Sequence, residues 1–492
     1  MSTVVNNDDA EISSSVQSRS SQGKTSSLHT SPNVFCRQSS ITSNNSVGTF
    51  PVNKQESTKL IKTKTDLLVL ISMALLYFVG TCAFSMIAPF FAPEALKKGS
   101  DGTITGLIFA VYPLVVFVVS PFIGKLLPLI GPKFCLIAGC FIEGGSEVLF
   151  GFVSELESGI IFISFCFIIR IVTALGSACS QTAILAIVSI TFKDNMSTMF
   201  GILELFSGLG FTAGPALGGF LYKVGGFKLP FIVLGSCVLL VLFFVMLILP
   251  GSHAYRNEEP NETQQTGSLK KVLLIPGVLM IGINAVIGGM VLSFLDPTLT
   301  NHLEDITNNG LSSEKIGLVF LIPSVLYTIS APLLGMVTDK MFSGRYAIIL
   351  GNVICCVSYL FLGPSPLLDS FVSSKLWVVC VALGVMGIAI APLVVPILAD
   401  MQKSATNAGL PANFATTSII SGIFNSVFSI GSVIGPTLGG ALTDHMSFSW
   451  ASTIFSFVLL GEAVILTLFT IWESHSKWSG KKTRGYESFT QC

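Results

Sequence analysis

Charge is scarce in this chain. Of its 492 residues only 11% are Asp, Glu, Lys or Arg, against roughly 25% in a soluble domain. That is too little charge to coat a water-facing surface, so most of the outside must face lipid. Neither sign dominates, because 27 basic residues balance 27 acidic ones; this argues against nucleic acid as a partner. Histidine is nearly absent: the five residues His29, His253, His302, His445 and His475 read as loop or tail positions, so no span is expected to carry a His relay. The 11 cysteines show no metal-ligand spacing and read as small packing residues, with no structural disulfide. A Gly-rich nucleotide loop and a Ser/His/Asp set are missing too. Nothing points to an enzyme, and neither a metal nor an organic cofactor is expected. The first sixty residues have no apolar h-region, so a cleavable signal peptide is not expected.

Apolar length is what the chain has in abundance, with 51% hydrophobic residues and a mean hydropathy of +0.76. Runs of about 20 residues, enough to cross a bilayer, fall near 67–92, 103–127, 133–153, 160–191, 197–222, 228–250, 272–299, 315–339, 345–363, 375–399, 414–442 and 448–472. The expected organisation is a disordered tail (1–64), a six-helix half (65–250), a polar linker (251–271), a second six-helix half (272–473) and a short tail (474–492). Lys and Arg concentrate on the side that holds both tails and the linker, so the positive-inside rule puts that side in the cytosol. The sequons at Asn44, Asn195 and Asn261 all fall there and are expected to be unglycosylated.

One phrase occurs twice. Gly210-F-T-A-Gly214-Pro215-A-L-Gly218-Gly219 in the fifth run returns as Gly431-S-V-I-Gly435-Pro436-T-L-Gly439-Gly440 in the eleventh. Glycine and proline weaken helices in water. In lipid they are tolerated where a neighbouring helix packs on the bare backbone. A repeated, close-packed, kinkable helix implies a duplicated carrier whose halves rock against each other. Short Gly turns follow the second run (Gly124 to Lys133) and the eighth (Gly335 to Arg345). In the eighth-run turn the charged pair Asp339 and Arg345 is read as a latch between the halves.

Together these features resemble the major facilitator superfamily over residues 65–475. The implied fold is an all-α membrane protein of twelve transmembrane helices in two pseudo-symmetric six-helix halves. The Gly-Pro element of the fifth run resembles that superfamily's antiporter motif. The turn after the second run departs from the family pattern, with Pro128 where an acid is expected. Phe84-S-M-I-A-Pro89-F-F, Leu203-Glu204-x-Phe206-Ser207-Gly208, Phe294-Leu295-Asp296-Pro297-T-L and the second Gly-Pro phrase are similar to the vesicular amine transporter family, in its polyamine branch. Monoamine and acetylcholine members carry an Asp in span 1, which this chain lacks. They carry another eleven residues before the span 11 Gly-Pro proline, where this chain has Asn425. Glu204 stands at the matching place in span 5.

Charges inside a bilayer are costly and are functional candidates by default. They are Glu143, Glu147, Arg170, Glu204, Asp296 and Glu462. Spans 5 and 7 line the cavity in the superfamily, so Glu204 and Asp296 are read as the site for substrate and protons, with Asn284 and Asn425 as its polar neighbours. Asp296 is placed before a proline that breaks the helix. Glu143 and Arg170 reach similar depth and are read as a pair, serving as a structural ion pair or, with Glu147, as a proton relay. Glu462 has no evident partner.

The expected function is proton-coupled antiport that loads polyamines of the spermine and spermidine class into acidic secretory or synaptic-type vesicles. The alternatives are a proton/organic-cation antiporter at the plasma membrane and a non-transporting sensor with a carrier fold. Partners are a small organic cation, protons and the bilayer; Tyr486-E-S-Phe489 has the shape of a coat-adaptor signal.

Overall fold

The computed structural model describes residues 61, 63–87, 89–249, 268–307, 313–340, 343–368 and 375–489. Most of the N-terminal tail, most of the linker, and the sequons at Asn44 and Asn261 lie outside the described residues, as do the side chains of Tyr486–Phe489. No strand occurs among the described residues. Among those same residues, twelve helices are long and apolar enough to cross a membrane. They are α1 (Lys64–Ser85), α2 (Gly102–Ile130), α3 (Pro132–Gly151), α4 (Ile160–Thr191), α5 (Met196–Gly225), α6 (Lys228–Ile248), α7 (Pro276–Ile306), α8 (Ser313–Lys340), α9 (Gly344–Leu362), α10 (Leu376–Val394), α11 (Phe414–His445) and α12 (Phe448–Phe489).

Boundaries differ from the hydropathy reading where the chain turns without becoming polar. The first run ends at Ser85, and a separate short helix, Phe91–Lys97, follows. Lys97 and the Tyr222 phenol both bond to Glu94 there and hold its carboxyl below the usual range. The tenth run stops at Val394 and resumes as Ile397–Asn407. Span 7 differs the other way: Pro297 lies inside one continuous helix, Pro276–Ile306, so the expected break after Asp296 is absent. The same extension takes His302 out of the loops. It lies in α7, 6% exposed, stacked on Phe448 at 4.0 Å.

The Gly-Pro helices pack as their glycines dictate. A Cβ at Gly214 would stand 2.7 Å from the Cys82 carbonyl of α1. One at Gly431 would stand 3.0 Å from the Val286 carbonyl carbon of α7. Thus α5 lies on α1, and α11 lies on α7 in the same manner. Between halves, α2 meets α11 and α5 meets α8. These seams are tight at one end only. A Cβ at Gly124 would be 3.2 Å from Gly422 Cα, and one at Gly335 would be 2.8 Å from Thr198 Cα. At the opposite end Gly106 of α2 and Gly317 of α8 have nothing within 4 Å. One end of the molecule is shut, and the other opens into the space between the halves.

Candidate functional site

The foot of that space is built on α5. Gly201 and Gly208 face α8, and Gly210, Gly214 and Gly218 face α1. Glu204 falls on the arc between those two faces, which is the arc turned toward the open centre. It is half-buried, and its Oε2 accepts a 2.8 Å hydrogen bond from the Tyr327 hydroxyl of α8, in the other half. Above it Phe211 is 48% exposed and meets Phe84 edge-on at 6.0 Å.

Asp296 sits on the wall of the same space. Around α7, Asn284 and Val291 are bonded to or by α9 and α10, Phe294 stacks on Phe448 and Phe455 of α12, and Gly289 lies under α11 at Phe428. One turn further α11 has swung round to Phe294, where a Cβ at Gly439 would meet the ring. The face left bare carries Asp296, which is exposed. Counted along their helices at 1.5 Å per residue, Glu204 and Asp296 differ in depth by roughly 18 Å.

Behind the N-terminal wall lies a buried polar network. Ser180 donates to Glu143 Oε2 at 2.9 Å. Tyr112 donates to Ser177 at 2.6 Å, and Gln181 donates to the same hydroxyl at 2.8 Å. The Arg170 guanidinium lies 4.9 Å over the Tyr112 ring and 5.8 Å from that of Phe84. Its ion pair is with Glu147, Nη1 to Oε1 at 3.7 Å, both groups almost fully buried. The expected Glu143–Arg170 pair is therefore corrected. The two acids share a face of α3 as their spacing requires but lie about 6 Å apart along its axis, so the antiparallel register with α4 sets the later one against the arginine and leaves Glu143 to Ser180.

Two other expectations are also revised. Asn284 is fully buried, donating to Leu393 O at 3.2 Å and accepting from Asn352 at 2.7 Å. It ties α7 to α9 and α10 and does not line the open space. Arg345 does not cross between halves: it bonds Asp400 at 3.0 Å, Ser404 at 2.7 Å and Glu473, all in the C-terminal half. Asp339 alone makes the latch. It accepts from the backbone amides of Ser197 and Thr198 at 3.2 and 2.7 Å, and from the Thr198 hydroxyl at 2.7 Å. It thereby caps the start of α5 from the opposite half, favoured by the helix dipole. Asn425 also crosses, donating to Ser120 at 2.9 Å. Glu462 is 4% exposed with Oε1 unpartnered.

The sequence reading passed over Tyr327, Asp400 and Glu473. Tyr327 stood in an apolar run with no charge nearby. Asp400 and Glu473 lie at span ends, where acids are commonplace. The only signal for them was the need of Arg345 for partners.

A helical membrane transporter with two halves and one polar seam is the class this fold and site define. The profile of the Major Facilitator Superfamily matches residues 73–418 and 281–489. The chain belongs to the major facilitator superfamily and, within it, to the family of the SLC18B1 transporters. The MFS-type transporter SLC18B1 of Rattus norvegicus is 37% identical over 412 residues, 84% of this chain and 88% of that protein. That of Homo sapiens is 36% identical over 414 residues, with the same coverage of 84% and 88%. More distant is the synaptic vesicular amine transporter of Homo sapiens, 27% identical over 358 residues, 72% of this chain and 64% of that protein. Among solved structures, the human organic anion transporter MFSD10 has a TM-score of 0.66 at 15% identity, covering 82% of this chain and all of that one. FucP in its outward conformation has a TM-score of 0.63 at 14% identity, covering 82% and 99%. These last two share the fold. The superfamily and the nearer relatives are transporters, not enzymes.

Proposed function

We propose that the chain is a proton-coupled antiporter that loads polyamines into acidic vesicles by alternating access. The observation that carries this is the placement of Glu204 and Asp296. One carboxylate comes from each half, both border the space between the halves, and they lie well apart in depth. A compact monoamine needs one counter-charge. An elongated chain with several ammonium groups matches two acids separated along its length. Phe84, Phe211 and Tyr77 offer ring faces beside the path, to which ammonium groups are attracted. A carboxylate that holds an ammonium can hold a proton instead. Protons entering from an acidic lumen would displace the amine, and losing them to the cytosol would restore the site. The vesicular name of the more distant relative supports a vesicle membrane, and the excess of Lys and Arg supports the shut end as the cytosolic one.

The test is uptake in proteoliposomes with an imposed proton gradient. Labelled spermidine should accumulate, serotonin should not, and collapsing the gradient should stop accumulation. Glu204→Gln should reduce exchange about a hundredfold, the loss expected when a desolvated charge loses its counter-charge. Near-normal exchange in that variant would remove Glu204 from the site. Serotonin uptake in place of spermidine would favour a monoamine carrier.

A further inference from the structure

One side chain crosses from α8 into the transport site. Tyr327, 8% exposed, gives its hydroxyl hydrogen to Glu204. Other side-chain bonds between halves among the described residues include Asp339 to Ser197 and Thr198, Asn425 to Ser120, and Ser426 to Phe117 O. Among the described residues, only the Tyr327 bond uses a carboxylate that also borders the open space. It stands at the boundary between shut and open seam. On the shut side, a Cβ at Gly201 would be 2.9 Å from the Ala331 carbonyl carbon. On the open side, Phe211, close to Glu204 around α5, is 48% exposed.

We infer that Tyr327 is a lock that only an empty, ionised Glu204 can hold shut. This rests on Glu204 being the cation site. A phenol bonds a carboxylate more strongly than it bonds the neutral acid. A proton on Glu204 therefore weakens the tie. An ammonium group brings its own donors to the same oxygens and competes with the phenol directly. The titratable groups acting on Glu204 from the packed helices are Tyr327 of α8 and Tyr77 of α1, so no fixed cation replaces the missing ligand. Occupancy by either ligand loosens the shut end, and vacancy keeps it closed. An empty carrier held closed cannot return without cargo, and that makes exchange obligatory rather than leaky. Tyr327 is thus a positioning residue that couples site to gate.

Two readouts test it. In lipid nanodiscs, Ser197→Cys places a thiol under Gly335 in the shut seam, and its labelling by a bulky maleimide is read as the increment over the chain without that substitution. Tyr327→Phe, which deletes one oxygen, and Glu204→Gln should each raise that rate about tenfold, the population change carried by one charged hydrogen bond. Spermidine should raise it in the parent and add nothing in Tyr327→Phe. Asp339→Asn should raise the starting rate yet stay responsive to spermidine; this separates a lock from general loosening. In proteoliposomes preloaded with labelled spermidine, net efflux into amine-free medium should be slow in the parent and approach the exchange rate in Tyr327→Phe. If both lock variants label like the parent, the inference is overturned. If they label faster while the parent ignores spermidine but responds to acid, the lock stands and the polyamine reading fails.

Discussion

The two ends of the seam use the same helix faces in opposite states. At the shut end Gly124 meets Gly422, Gly201 meets Ala331, and Gly335 meets Thr198. At the open end the matching glycines are Gly106, Gly440, Gly219 and Gly317, and a Cβ on any of them would find nothing within 4 Å. In α2, α5, α8 and α11 alike the two glycines are 18 residues apart. Eighteen residues are five full turns, so both lie on one face, about 27 Å from each other. The antiparallel register that joins Gly124 to Gly422 puts Gly106 opposite Gly440, and that of α5 with α8 puts Gly219 opposite Gly317. Bare backbone with no neighbour has no packing purpose in the present state. The shut end shows what such backbone does when a neighbour arrives. Each seam helix carries two docking places, used in turn.

The largest effect should come from filling one end and then the other. Gly422→Leu drives a side chain into the α2 backbone, where a Cβ would already be 3.0 Å from Gly124 Cα. Overpacking of that kind should cost this state about 3 kcal/mol, read as a fall in melting temperature in detergent. Gly440→Leu should change melting by less than about 0.5 kcal/mol, as an uncontacted position does, and yet arrest transport, because it blocks closure at its own end. A paired Gly106→Cys and Gly440→Cys variant should cross-link under oxidant only as the carrier cycles. Equal melting losses at the two ends, or a Gly440→Leu that transports normally, would break the comparison.

The sequence made half of this visible. The Gly-Pro repeat announces close packing because glycine is expensive in a helix unless something lies on it, and α1 and α7 do. What it could not announce is which neighbour lies where, since that depends on the rotation of each helix about its axis. The same blindness explains the other revisions. Depth counting set Arg170 level with Glu143, but the register of α3 against α4 brings Glu147, one turn on, to the 3.7 Å pair. Asn284 reads as cavity-lining beside Asp296, yet twelve residues separate them, more than three turns along α7 and on another face. Glu204 and Asp296 were legible because ionisable groups in lipid are rare. Tyr327 was not, since an aromatic residue in an apolar run is ordinary until a partner from the opposite half reaches it.

A smaller effect is expected from Asp339. The shut end is capped unequally: α11 is capped by its own Asn413, which accepts from Thr416 N at 3.0 Å. The start of α5 depends on Asp339 from the other half, its own Asn195 making no side-chain cap bond. Asp339→Asn keeps an acceptor oxygen but removes the charge that favours a helix N-terminus, worth about 1 kcal/mol in a partly buried setting. The shut end should loosen about fivefold by the Ser197→Cys labelling rate, and the effect should shrink little with salt, because the group is sheltered. Asn413→Ala should loosen α11 locally without opening the seam. A seam equally opened by both would show that the cross-half cap is not special.

The smallest expected quantity is a coupling energy, which tests the α2–α11 seam on its own. Asn425 is 7% exposed and Ser120 fully buried, and their 2.9 Å bond joins the halves beside Gly124 and Gly422. Asn425→Ala strands the Ser120 hydroxyl, so the single change should cost about 1–2 kcal/mol, more than the bond itself is worth. Ser120→Ala should cost less, because the amide can turn toward water as the seam breathes. The double variant should recover part of the loss, leaving a coupling of about 0.5–1 kcal/mol in a double-mutant cycle on melting temperature. The coupling should vanish under conditions that populate the oppositely closed state, because these two residues belong to the end that must then part. A coupling that stays constant as the carrier is driven between states would mean that α2 and α11 do not separate there, and the two docking places would not alternate.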